Sequence, residues 1–258
     1  PIRHGTLAAM KALVLDFDGV LADSSRETFV VACRAWAEME PESSLVRRLP
    51  VQAPAEELAD LDLERIPEYH EFERLGPLGN RAEDFGVALD AIESGLEISS
   101  QEAYDGFFAE HDEGWLEEFH RGFYRQRGRL RKENPKVWVE LQPAFQPVVD
   151  LILDPPAKVK VAIATAKDGE TVRTLLKHWG LSRRIPARRV LDKEAGRSKR
   201  EHLDALRREL DLPFGEMTFV DDKVNHLESV APLGVRPVLA GWGFNGEREH
   251  DRARTLGY

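Results

Sequence analysis

Five short β-prone runs constrain this chain more than anything else in it. They are Ala12–Leu15, Val159–Thr165, Val190-Leu191, Met217–Val220 and Arg236–Leu239. Each is apolar and too short for a helix that buries a face, so each reads as a buried strand. From Pro143 onward, stretches of helical period separate them. Gln146–Leu153 is one, stopped by Asp154-Pro155-Pro156; others carry Val172, Leu175, Leu176 and Trp179, then Leu203, Leu206 and Leu210, then Leu227, Val230 and Ala231. Strands that alternate with helices make a parallel sheet with right-handed crossovers. The fold class expected is α/β, a doubly wound, Rossmann-like parallel sheet.

The segment from about Thr28 to Pro143 lacks that alternation and reads as all helix. Phe29, Val30, Cys33, Trp36 and Ala37 recur at spacings of three and four, with Asp23 or Ser24 as N-cap. Pro41 and Pro50 break the chain after Glu40, and Asn80 is expected to cap a helix through Phe85, Ala88, Leu89 and Ile92. Ser99 and Glu102 have capping-box spacing ahead of an aromatic-rich helical region, Phe107 to Tyr124. The organisation expected is a core of residues 1–24 and 143–258 with an all-helical insert at 25–142.

Polar residues collect where the strands end. Asp16 and Asp18 follow the first run, Thr165 closes the second, and Asp221-Asp222 follow the fourth. Lys199 opens the helix before that fourth run. In an extended segment residues i and i+2 point the same way, so Asp16 and Asp18 share a side. The carboxyl ends of a parallel sheet share one edge, where such folds bind ligands. Taken singly, each residue is ordinary: a bare D-x-D is more often an acidic turn, and Asp222 is a common N-cap. Carboxylates gathered with a hydroxyl and an ammonium suit a phosphate held against a hard cation, and oxygen ligands favour magnesium.

In that order the motifs resemble those of the haloacid dehalogenase-like (HAD) superfamily, whose members are mostly phosphatases. DFDGVLADS is similar to the first motif, VAIAT to the second, the lysine of GRSKREHL to the third, and FVDDKVNHL to the fourth. Lys193 competes with Lys199 for the third. The resemblance implies a magnesium-dependent phosphomonoesterase working through an aspartyl-phosphate, with a helical C1-type cap inserted between the first and second motifs. Asp16 would be the nucleophile and Asp18 the acid–base, while Thr165 and Lys199 would hold phosphoryl oxygens. Asp16, Asp18 (through its carbonyl), Asp221 and Asp222 would face the metal, with Asp222 aligned to the metal-binding acid. One departure stands out: the family often has Asp or Asn where this chain has His226, with Asn225 just before it. A sugar phosphomutase would use the same residues, and a non-catalytic phosphate-binding protein is the alternative from another class.

Composition narrows the partners. A formal net charge of −10 over 258 residues argues against a nucleic-acid backbone, and no apolar run has the length of a membrane span. The PIRHGTLAAM start lacks the apolar stretch of a signal peptide and reads as a leader before Met10. Cys33 is the only cysteine, so there is no intrachain disulfide and a reducing cytoplasm is the expected home. The expected partner is a small phosphorylated metabolite, bound by a monomer or a homodimer. Arg47, Arg48, Arg121 and Arg125 are candidates for holding a second anionic group of the substrate.

Overall fold

The computed structural model describes residues 10–49, 53–58, 60–79, 81–155 and 159–258. The leader before Met10, the break at Pro50, the cap at Asn80 and Pro156 lie outside them. In chain order the elements are β1 (Ala12–Leu15), α1 (Ser25–Met39), α2 (Ser44–Arg48), α3 (Ala55–Leu58), α4 (Pro67–Leu75), α5 (Ala82–Glu93), α6 (Gln101–Phe108), α7 (Glu113–Glu133), α8 (Pro135–Glu140) and α9 (Gln146–Leu153). There follow β2 (Lys160–Ala164), α10 (Gly169–His178), β3 (Val190–Leu191), α11 (Lys199–Leu210), β4 (Met217–Asp221), α12 (Val224–Val230), β5 (Arg236–Leu239) and α13 (Glu247–Leu256). Two compact units result, one of residues 1–23 and 144–258, the other of 24–143.

The first unit holds the sheet. All pairings are parallel and the strand order is β3-β2-β1-β4-β5, so the α/β expectation holds. β1 sits at the centre because it is apolar throughout: all four of its residues are buried. Two neighbours hold it in register, Leu15 opposite Ile163 of β2 and Val220 of β4. One face packs Ala12, Val14, Ala162, Ala164 and Phe219 against Leu203, Leu206 and Leu210 of α11 and Leu227 and Val230 of α12. The three-and-four spacing of those leucines thus becomes a helix face on the sheet. Ser198 starts α11 by accepting a hydrogen bond from the Glu201 N–H, and Asp168 does the same for α10 through Thr171.

The second unit is helical in all its described elements. Its longest helix, α7, lies against α1, and the contact is fixed by charge as well as by aromatic packing. Glu27 of α1 is fully buried and takes both arms of Arg127 (2.8 and 2.6 Å) together with the Trp138 indole N–H (3.2 Å). A planar guanidinium meeting a carboxylate two-on-two is the geometry that best repays taking both charges from water. Local caps differ from the sequence reading in detail. Ser24 takes the N-cap position of α1 without a side-chain bond to the helix N–H groups it would cap, and Ser100 rather than Ser99 caps α6. The aromatic stretch is two helices, because Asp112 accepts from the Trp115 N–H and starts α7 afresh.

Glu93, at the end of α5, ties three segments of this unit together. It accepts from the Trp36 indole N–H (3.0 Å), the Ser43 hydroxyl and the Ser44 N–H (2.7 Å). Burial pushes its carboxyl up, but these donors outweigh burial and hold it below the ordinary 4.5. A folded value below the unfolded one means stability that is present above pH 4.5 and lost as pH falls through the folded value. Acid unfolding of the chain, followed by tryptophan fluorescence, should therefore begin below about pH 4.5. Glu93→Gln should lower stability at pH 7 and flatten that part of the acid profile; an unchanged profile would show that Glu93 carries none of it.

Candidate active site

The site is built where β1, β2 and β4 end. Asp16 follows β1, and its N–H donates to Val220 O at 2.9 Å, which carries the pairing with β4 one residue further. Phe17 then turns the other way. It is fully buried and stacks on Trp179 with ring centroids 5.7 Å apart. This anchors the aromatic ring in the core between the two aspartates. After Asp18 the chain makes a tight turn, closed by Gly19 N–H to Ala22 O (2.8 Å) and Ala22 N–H to Phe17 O (2.8 Å). Gly19 has φ +75°, and a Cβ there would lie 2.3 Å from Asp222 Oδ2. Both the backbone conformation and the space demand glycine.

Lys199 is the cation that the fold brings to this edge. Its ammonium is 2.7 Å from Asp16 Oδ1 and 3.2 Å from Asp221 Oδ2, and it donates to Ala164 O at 2.8 Å. Lys193, its competitor by sequence, lies instead in the loop after β3. Thr165 is buried just past β2; its N–H donates to Leu191 O (2.9 Å) and its hydroxyl accepts from the Lys167 N–H (3.1 Å). Asp221 is fully buried and accepts from the Lys223 N–H (2.9 Å) and from His226 Nδ1, which is 3.1 Å from each carboxylate oxygen.

The two adjacent acids differ sharply. Asp222 accepts from the Phe244 N–H at 3.0 Å through Oδ2, and its main-chain carbonyl accepts from the Asn245 amide (3.0 Å). Burial pushes the Asp222 carboxyl well above its ordinary value, with Lys223 opposing and the charges of Asp221 and Asp16 adding. Burial would also raise Asp221, but Lys199 and His226 hold it down to about 2. Asp16 is raised, first by burial and then by Asp221, against the pull of Lys199. Burial lowers Lys199, and the carboxylates of Asp16 and Asp221 more than restore it. Lys199 thus balances two buried carboxylates, with the third buried carboxyl, that of Asp222, next in the chain.

That surplus of negative charge fits a divalent cation. Asp16, Asp221 and His226 each offer an atom within 4.8 Å of the others. Asp16 Oδ1, although close to Lys199, is buried without an aligned hydrogen-bond donor. Two carboxylates suit magnesium, while an imidazole beside them is a less usual neighbour for it.

Two groups of residues enter the site that the motif reading placed loosely or not at all. Lys167 reaches Asp18 Oδ1 at 2.7 Å. The 241–245 segment docks on the turn after β1. The Trp242 indole donates to Val20 O (3.1 Å), and a Cβ on Gly243 would meet Gly19 O at 2.4 Å. By contrast, the four candidate substrate arginines have carboxylate partners within the helical unit. Arg47 meets Glu42 (3.3 Å), Arg48 meets Glu68 (3.6 Å), Arg121 meets Glu117 (3.2 Å) and Arg125 meets Glu38 (2.5 Å).

Known structures share this architecture. A haloacid dehalogenase-like hydrolase from Streptococcus pneumoniae aligns over 95% of this chain and 91% of its own, with TM-score 0.58 and 14% identity. A protein provisionally called a phosphoglycolate phosphatase, from Lactobacillus delbrueckii subsp. bulgaricus, aligns over 94% and 90% (TM-score 0.64, 15% identity). A predicted phosphoglycolate phosphatase from Haemophilus somnus aligns over 92% and 88% (TM-score 0.59, 16% identity). At these identities the likeness is one of fold. No curated protein matches the chain by sequence. Among the described residues no helix is long and apolar enough to cross a membrane. The family model of haloacid dehalogenase-like hydrolases matches residues 10–234, and the chain belongs to that family.

Proposed function

We propose that the protein is a magnesium-dependent phosphomonoesterase acting on a small phosphorylated metabolite in a reducing cytoplasm. The observation that supports this reading is the Lys199 ammonium bridging Asp16 and Asp221 where β1 and β4 end, with Asp18 and Thr165 both joined to Lys167. An Asp16 oxygen forms a bond to phosphorus as the ester P–O bond breaks, and Asp18 gives its proton to the departing oxygen. Asp18 then takes a proton from the water that attacks phosphorus, and the Asp16–phosphorus bond breaks to release phosphate. Thr165 and Lys199 hold phosphoryl oxygens, and Lys199 balances the charge beside Asp16. Asp16, the Asp18 carbonyl and Asp221 would hold magnesium, with Asp222 and His226 beside them. Bound there, the ion supplies charge neutralisation for the phosphoryl group and favours ionised Asp16.

Phosphoryl transfer asks mainly for positioning and charge neutralisation, which is what a dry edge of this composition offers. Residues 24–143, inserted between the first and second motifs, take the part of a substrate-selecting cap. Two structural relatives are called phosphoglycolate phosphatases, so short phosphorylated carboxylic acids belong in the first substrate screen beside sugar phosphates.

With magnesium, the protein should hydrolyse p-nitrophenyl phosphate, and Asp16→Asn should abolish turnover; activity surviving in that variant sinks the nucleophile assignment. Asp18→Asn should keep phosphate binding while kcat falls by roughly 10²–10⁴, the span of a general acid–base. Lys199→Ala should cost more than Lys193→Ala. Stability in chelator at pH 7 tests the charge surplus separately. A carboxyl raised in the folded state is a cost once pH exceeds its unfolded value, and a depressed one is a gain. Urea unfolding should therefore show Asp222→Asn as stabilising and Asp221→Asn as destabilising. The opposite order would contradict the surplus that points to a cation.

A further inference from the structure

Lys167 sits in the turn between β2 and α10, and the steps above give it nothing to do. Its N–H donates to Thr165 Oγ1. Its side chain passes the Phe17 ring, Nζ 5.8 Å from the centroid, and ends 2.7 Å from Asp18 Oδ1. The lysine side chain is 5% exposed and that of Asp18 35%. An ammonium withdrawn from water this far needs a partner to be tolerated, and the carboxylate supplies it. The site thus has two buried lysines with divided attachments, Lys199 to Asp16 and Asp221, and Lys167 to Asp18.

We propose that Lys167 is a positioning residue for Asp18. By gripping Oδ1 it fixes the plane of the carboxyl group, so that Oδ2 carries the transferable proton. In the first step the Oδ2–H bond breaks and the proton joins the ester oxygen, which keeps the electron pair of the broken P–O bond. In the second, Oδ2 takes a proton from the water whose oxygen bonds to phosphorus. Lys167 keeps its three protons throughout. The inference rests on the acid–base reading of Asp18. It differs from a phosphate-holding role for Lys167 in one respect: a phosphate holder serves every ester alike, whereas a residue acting through the acid matters most when the leaving group needs a proton.

The test is a series of phosphate monoesters graded in leaving-group basicity, from p-nitrophenyl to simple alkyl, run with magnesium on the full chain and on Lys167→Met, Lys167→Arg and Asp18→Asn. For alkyl esters Lys167→Met should lose about 10- to 100-fold in kcat/KM, inside the ~10²–10⁴ that general acid–base catalysis contributes. For p-nitrophenyl phosphate the loss should stay near ~3-fold or less, because a weakly basic leaving group gains little from the proton. Lys167→Arg should recover most of the alkyl-ester rate. Adding Lys167→Met to Asp18→Asn should cost nothing further, the mark of two residues acting as one unit. Inorganic phosphate, titrated calorimetrically, should bind all variants alike. Equal losses on every ester, or weakened phosphate binding, would overturn the proposal in favour of a phosphate holder, and no loss on any ester would leave a purely structural ion pair. Should Lys167→Met not fold, Lys167→Gln is read in the same series. If the unaltered chain hydrolyses no ester, the phosphomonoesterase reading fails; if it does and the losses are uniform, only the role of Lys167 fails.

Discussion

At the carboxyl edge of the sheet the buried Lys199 ammonium stands between the buried carboxylates of Asp16 and Asp221, with buried Asp222 next in the chain. Asp16, Asp221 and Asp222 are each nearly inaccessible to water, and Lys199 alone lies between the first two. Charges of one sign crowded in a poorly solvated place repel strongly. The fold holds them there because each is fastened by its backbone. Asp16 and Asp221 continue adjacent parallel strands, and Asp222 is tied to the 243–245 segment. The surrounding structure carries the strain of a cluster that would disperse in a looser framework, and it thereby keeps a site ready for a cation and a phosphoryl group.

The sheet order explains how so few residues suffice. With β1 in the middle, its neighbours β2 and β4 deliver Thr165 on one flank and Asp221 on the other, and α11 brings Lys199 across beneath them. Each functional side chain sits at the end of a strand or the first turn of a helix, where burial of the preceding apolar residues sets its position. Residues 19 and 243 are glycine because backbone and carboxylate from two separate stretches approach within side-chain distance there.

Much of this was legible in the sequence, for an identifiable reason. Short apolar runs ended by acids, at helix-length intervals, admit few arrangements other than a parallel sheet with a polar edge. The strands at Val190-Leu191 and Arg236–Leu239 and the helix at Gln146–Leu153 were readable because periodicity and breakers agree there. What was not legible depended on distant partners. Nothing local marks Lys167, because Asp18, its partner, is far away in sequence. Arg121 and Arg125 of α7 were candidates for a substrate anion because their carboxylate partners, Glu117 and Glu38, are set by the folded helix and by a distant segment. Ser99 has capping-box spacing to Glu102, but Ser100 is the residue whose hydroxyl accepts from the Ala103 N–H and caps α6.

The central strand has a further consequence, for the order in which the molecule is made. β1 is synthesised before the helical unit, yet both strands that flank it come after the whole of that unit. At ~5–20 residues per second of synthesis, the buried strand bearing Asp16 waits on the order of ten seconds for β2 and longer for β4. During that interval the helical unit has its full sequence and can fold, while β1 remains an apolar segment without its sheet. A substitution that slows the helical unit would therefore prolong the exposure of a strand outside that unit, and yield in the cell would fall before activity per folded molecule did.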